Sequence, residues 1–187
     1  VGFVFGTAIT SHELCDAFGV EIGSSDLDPE NIPALQTLIA SCLGLVTIES
    51  SSSIVPLVHF PLQEHLSREP TLFPSPHSTI AEACLTYLNF GCVRDLSPTL
   101  KSAPATMPLL EYASVYWGRH TRTDLTQHIE IFALRLLDRF DEHISAQLVL
   151  WHHNQDGGGD PTITIAERED LLDLRDSTEQ HFWGLQG

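Results

Sequence analysis

Apolar residues recur every three or four positions along most of this chain, and in one stretch they alternate instead. The first periodic run is HELCDAFGV, residues 12 to 20, where Leu14, Cys15 and Phe18 share a side of a short predicted helix. A polar loop, EIGSSDLD, leads to a second. There Asp28 is placed to cap, Pro29 fits the first turn, and Glu30 suits the positive end of the helix dipole. Pro33 is near enough to the start for the helix to continue. Leu35, Leu38, Ile39 and Cys42 then form a stripe predicted to be buried. The positions between them, Ala34, Gln36, Thr37, Ala40 and Ser41, include no lysine or arginine.

The alternating stretch is GLVTIESSSSIVPLVHF. Two β-branched runs, 45 to 48 and 54 to 60, flank a Ser-rich connection, which predicts a small hairpin. In the second run Ile54, Pro56, Val58 and Phe60 would point one way, and Val55, Leu57 and His59 the other. Pro56 has no N–H to give a ladder, so the run should lie at an edge or bulge. PLQEHLSRE reads as the next helix, with Pro61 in its first turn.

The Pro-rich EPTLFPSPHS, 69 to 78, is the clearest domain boundary. Beyond it Ser78 is placed to cap TIAEACLTYLNF, with Ile80, Cys84, Leu85 and Leu88 as its buried stripe. Residues 96 to 108 read as loop and LLEYASVYWGRH, 109 to 120, as a helix. From a cap at Asp124, apolar residues from Leu125 through Ile129, Phe132, Leu136, Phe140, Ile144 and Leu148 to Trp151 mark a long helical stretch. DRFDEH is the place where it can break in two. The pattern stops at the GGG of 157 to 159. The tail from Asn154 holds eight acidic and two basic residues, and both a loosely attached helix and a disordered tail fit it.

The expected fold class is therefore mostly α with a small β-hairpin. A winged-helix-like module (10–69) precedes a helical linker domain (76–153) and an acidic tail (154–187).

Charge narrows the functions. The chain carries 25 acidic and 9 basic side chains, with Lys101 its single lysine, for a net charge near -16. Such a chain repels a phosphate backbone, and a DNA-reading second helix, 31 to 43, would need basic residues it lacks. No nucleic-acid partner is expected. The apolar opening VGFVFGTAIT has no basic region before it, and no run reaches the roughly 20 apolar residues a membrane span requires, so no membrane association is expected and a cytoplasmic placement is. An opening on Val1 reads as a piece of a longer chain or a processed one. Cys15, Cys42, Cys84 and Cys92 form no CxxC pair, and the first three sit in apolar helical patterns as small core residues.

No complete active site is visible. Glycine-rich phosphate loops, G-x-S-x-G and HExxH are all missing, so no enzyme, metal or cofactor of the chain's own is expected. His59 and His65 are six residues apart, about 600° around a helix, and do not face a common ligand. His152 and His153 end a helix, where they suit the dipole. Asp16, Glu21, Asp26, Asp28 and Glu30 read as caps and solvated loop. His59 stands apart because it joins a strand to a helix whose free N–H groups can face an anion. Two roles fit it there, contact with a phosphate and satisfaction of a backbone group at the joint.

EIGSSDLDPENIPALQTLIASCLGLVTIESSSSIVPLVHFPLQEHL, continuing through HSTIAEACLTYLNFGC and EYASVYWGRHT to ALRLLDRF, resembles the winged-helix and helical-linker region of fungal NACHT proteins. These are NLR-like STAND ATPases with ankyrin repeats, and the same winged-helix type is catalogued beside GPI inositol-deacylase-like sequences. The resemblance covers roughly residues 10 to 153, and its specific part is GLVTI followed by LVHFPLQEHL. It implies a regulatory, non-catalytic piece of a nucleotide-dependent signalling switch, with ADP or ATP bound by the parent protein. Its partners would be an upstream NACHT domain and downstream repeats, with residues 109–151 available to a further protein partner as an interaction scaffold. The resemblance assigns His59 a contact with the β-phosphate of ADP. The family usually has threonine where Pro61 stands, completing a capping box with Glu64, and commonly arginine at the place of Pro56.

Overall fold

The computed structural model of the chain describes residues 8–68, 71, 74–100, 102–122 and 126–155. Among these are eight α-helices and two 3-10 turns, and no β-strand. The protein is mostly helical.

Helix α1 (Ser11–Gly19) begins in a capping box. Thr10 Oγ1 accepts from the Glu13 N–H at 3.4 Å, and the Glu13 carboxylate accepts from the Thr10 N–H at 2.7 Å. The helix buries Ser11, Leu14, Asp16 and Gly19, while Phe18, expected inside, is 55% exposed. The correction has a local cause. A Cβ on Gly19 would stand 2.9 Å from Ile32 Cγ1, so the Gly19 side is where the following chain closes in, and Phe18 is turned away from it.

The second predicted helix is two elements. Asp28 does cap, its carboxylate accepting from the Glu30 N–H at 2.9 Å, but the product is a 3-10 turn (Pro29–Asn31). Ile32 and Ala34 are extended on either side of Pro33, which bars its predecessor from the helical region. Helix α2 (Leu35–Ser41) restarts beyond. Its stripe faces inward as expected but is only half-buried, with Leu38, Ile39 and Cys42 packed at the margin of the core.

Runs 45–49 and 54–58 lie antiparallel without becoming strands, and the reason is residue-specific. Glu49, Thr47 and Val58 donate to Ile54, Pro56 and Leu45 at 2.8, 3.0 and 3.0 Å. The return bond of each pair is lost: Pro56 has no N–H, the Ile54 N–H goes to Ser52 Oγ, and the Leu45 N–H goes to the Cys42 carbonyl. Half of each reciprocal pair leaves an isolated Val46–Leu57 bridge. The start of the chain adds a further edge, with Thr10 bridged to Ile54.

Helix α3 (Phe60–Arg68) follows, then α4 (Pro76–Leu88). Helix α4 starts three residues earlier than predicted, at Pro76 rather than Thr79, because Pro76 fits its first turn, so Ser78 is buried inside the helix instead of capping it. A short α5 (Gly91–Arg94), α6 (Leu109–Thr121) and α7 (Gln127–Leu137) come next. Thr126 caps α7 through the Ile129 N–H, while the cap expected at Asp124 lies outside the described residues. DRFDEH breaks the pattern as a 3-10 turn (Phe140–Glu142) before α8 (Ile144–Gln155). The expected tail, from 156 onward, also lies outside them.

Helix α4 is central, packed on α6 and α7, and α6 packs in turn on α8 and α1. Leu85, Leu88, Phe90, Leu109, Leu110, Ile129, Ile144 and Leu148 are fully buried there. Ile9, Leu14, Val46 and Val55 belong to the same buried cluster. Among the described residues no helix is long and apolar enough to cross a membrane.

Candidate functional site

His59 is exposed at the joint between the second paired run and α3. Its carbonyl accepts from the Leu62 N–H at 3.1 Å, so it stands at the N-cap of α3, with Pro61 in the first turn where a missing N–H costs nothing. Val55 is fully buried and Leu57 half-buried against the core, so the inward side of this run ends where His59 emerges into solvent.

Beside His59 lies an exposed apolar edge. Leu45 and Val58, joined by a backbone hydrogen bond, are 45% and 37% exposed, and Leu43 is 87% exposed. Leu43 also has φ +50°, followed by Gly44 at +79°. A leucine in the left-handed region carries backbone strain, and one almost wholly in water gains nothing from packing. Both costs fall on one residue in the turn between α2 and the first paired run.

The other candidates do not converge. His65 is exposed on α3, and the side chains of His152 and His153 lie outside those described. Asp28 caps its turn and Asp26 sits beside the Cys92 thiol. Asp16 is buried at the first residue of α6, where the Leu109 N–H bonds its carboxyl, and its Oδ2 has no partner. Burial pushes this carboxyl above the ordinary range. The cysteines are free; Cys84 is buried, Cys15 and Cys42 are half-buried, and Cys92 is exposed.

Two polar clusters bring together residues that sequence spacing does not connect. His77 of α4 and His120 of α6 face each other Nδ1 to Nδ1 at 3.0 Å, and the Tyr112 hydroxyl lies 3.3 Å from His120 Nε2. His120 is fully buried, and desolvation, with His77 and Arg119 nearby, lowers it to about 4. At the other end of α4, His143 Nε2 donates to the Leu88 carbonyl at 3.1 Å, which leaves Nδ1 to accept from the Ser145 N–H. Ser145 Oγ lies 2.9 Å from that Nδ1 and accepts from Ser114 Oγ at 3.0 Å. A serine beside a histidine suggests a nucleophile, but Ser145 is fully buried and the histidine is capping a helix. No signal in the sequence marks either cluster, since the partners are 43 and 55 residues apart and each sits in an ordinary helical pattern.

Gly91, Arg94, Asp95, Arg139, Glu142 and His143 line an open cavity of about 340 Å³. Arg139 is engaged by Glu142 through Nε at 3.0 Å, and both ring nitrogens of His143 are bonded within the protein. Five of the six lining residues are charged or polar, unlike the mostly hydrophobic and aromatic walls that hold small molecules. Among the described residues no three histidine, cysteine or acidic side chains are grouped to hold a metal ion.

Comparison with protein-family models, with curated proteins and with solved structures finds no match to this chain.

Proposed function

We propose that this chain is a non-catalytic regulatory module of a NACHT-type, nucleotide-dependent signalling switch. It packs against a nucleotide-binding domain through the edge formed by Leu43, Leu45, Val58 and His59. The observation that carries the reading is Leu43, which combines 87% exposure with a left-handed backbone two residues before Leu45, whose carbonyl accepts from the Val58 N–H next to the exposed His59. A covering domain would remove the solvent cost of Leu43, Leu45 and Val58. It would also bring bound ADP within reach of His59 and the free N–H groups of α3. In this reading 45–58 is the wing of a winged-helix module, the helices from α4 onward form the linker domain, and the protein acts in the cytoplasm.

A scaffold working through 109–151 has less behind it. Leu109, Leu110, Tyr112, Ala113, Trp117, Ile129 and Leu136 point into the core, and Ile131 is the large apolar side chain left exposed on that stretch among the described residues. Nucleic-acid binding has less still, because the outward side of α2 is Gln36, Thr37, Ala40 and Ser41.

The test uses the parent protein with its nucleotide-binding domain. His59→Ala should speed ADP release and raise basal activation, and Leu43→Ser should loosen the packing of the two parts. Unchanged ADP retention and basal activity in both variants would rule the reading out. An encoding gene with no phosphate-loop sequence upstream would do the same.

A further inference from the structure

Two imidazoles at 3.0 Å between Nδ1 atoms need one bare nitrogen. One ring donates an N–H and the other accepts it. The pair therefore tolerates one excess proton on an outer nitrogen, but a second puts hydrogen on both facing atoms and separates the rings. We propose that His77 and His120 form a proton-sensitive latch between the first turn of α4 and the last turn of α6, closed when the pair is neutral or singly protonated and opened by the second proton.

Several features besides the distance oppose that second charge. His120 is fully buried, with its other nitrogen toward the Tyr112 hydroxyl. His77 is half-buried at the second residue of α4, where the positive end of the helix dipole disfavours a cation. Arg119 adds positive charge near both rings, and both are held below the ordinary histidine value by burial first and charge second. A histidine lowered in the folded state contributes stability that is complete above the unfolded value of 6.5 and is lost as pH falls through the window toward about 4.

Three other titratable groups on the packed elements have partners of their own. Glu82 of α4 accepts from Thr126 at the start of α7, and Asp16 of α1 meets the opposite end of α6 at Leu109. Asp16 has the opposite sign, being relieved by acid. His143, ahead of α8, lies at the far end of α4 and titrates whether or not the latch exists.

The experiment is amide hydrogen exchange of residues 79 to 81 in the full chain between pH 7 and 4.5, corrected for intrinsic rate. Wild-type protein is compared with the double variant His77→Asn, His120→Gln, so that His143 and Asp16 cancel. Each proton taken up on opening changes the opening constant about tenfold per pH unit. The wild-type constant should therefore rise at least tenfold more than that of the double variant below pH 6.5. Equal rises in the two proteins overturn the proposal. Should the double variant not fold, ring-nitrogen NMR of the wild type decides. Both rings charged at pH 5 with residues 79 to 81 still protected overturns the latch; a ring kept neutral until those amides open supports it.

Discussion

His143 caps α8 with its ring: Nδ1 accepts the Ser145 N–H at 3.2 Å, two residues into the turn that an asparagine or serine would ordinarily hold. Its Nε2 meanwhile satisfies the Leu88 carbonyl across the core. His143→Ala should cost about 2 kcal/mol, since it removes a cap and leaves a buried carbonyl without its donor. His143→Asn, which can still cap, should recover roughly half. Urea midpoints at pH 7.5 distinguish the two. Burial lowers this histidine, so its contribution, like that of the latch, should fall away as pH drops below 6.5.

Asp16 reverses that sign. Its carboxyl is raised by burial and its Oδ2 is unpartnered, so the charged form is a cost in the folded state at neutral pH. The cost is full above the raised folded value and relieved as pH falls through it. Asp16→Asn keeps an acceptor for the Leu109 N–H and should be at least as stable as the parent at pH 7. The difference should close on acidification, and a gap that widens between pH 7 and 4.5 would contradict the assignment.

Pro56 controls how far the paired runs develop. Pro56→Val supplies the N–H that the Thr47 pair lacks, a gain of about 0.5–1.5 kcal/mol, against about 0.4–1 kcal/mol for the looser unfolded chain. Net stability should move by less than about 1 kcal/mol. The clear readout is instead the new amide at 56, which should exchange slowly in a variant with otherwise unchanged melting.

The thiols should separate by burial. Cys84 is fully buried and its thiol is pushed up to about 12, so it should resist an aromatic disulfide reagent until the protein unfolds. Cys92 is exposed and should react first. Its rate should remain below that of a free thiol, because burial and the neighbouring Asp26 carboxylate raise it too. Mass spectrometry of partially labelled protein gives the order directly.

Local sequence determined most of the helices here. A 3.6-residue period with a break at DRFDEH is enough to place α4, α6, α7 and α8 within about three residues. Capping chemistry at Asp28 and the proline effect at 56 act over a few bonds and are legible for the same reason. The His59 joint was also legible, because a strand-like run handing over to a helix leaves a local pattern.

Tertiary structure decided the rest. Which side of α1 faces inward depends on Ile32 closing over Gly19, and Phe18 turns outward as a result. Which distant segment the second paired run joins is decided in three dimensions, where Thr10 bridges Ile54 and the Val55 N–H reaches the Ile9 carbonyl. His77 with His120, and His143 with Leu88, meet only because α4 lies across both the end of α6 and the start of α8. Periodicity specifies which side of a helix seeks the core; it carries no information about which distant side chain waits there.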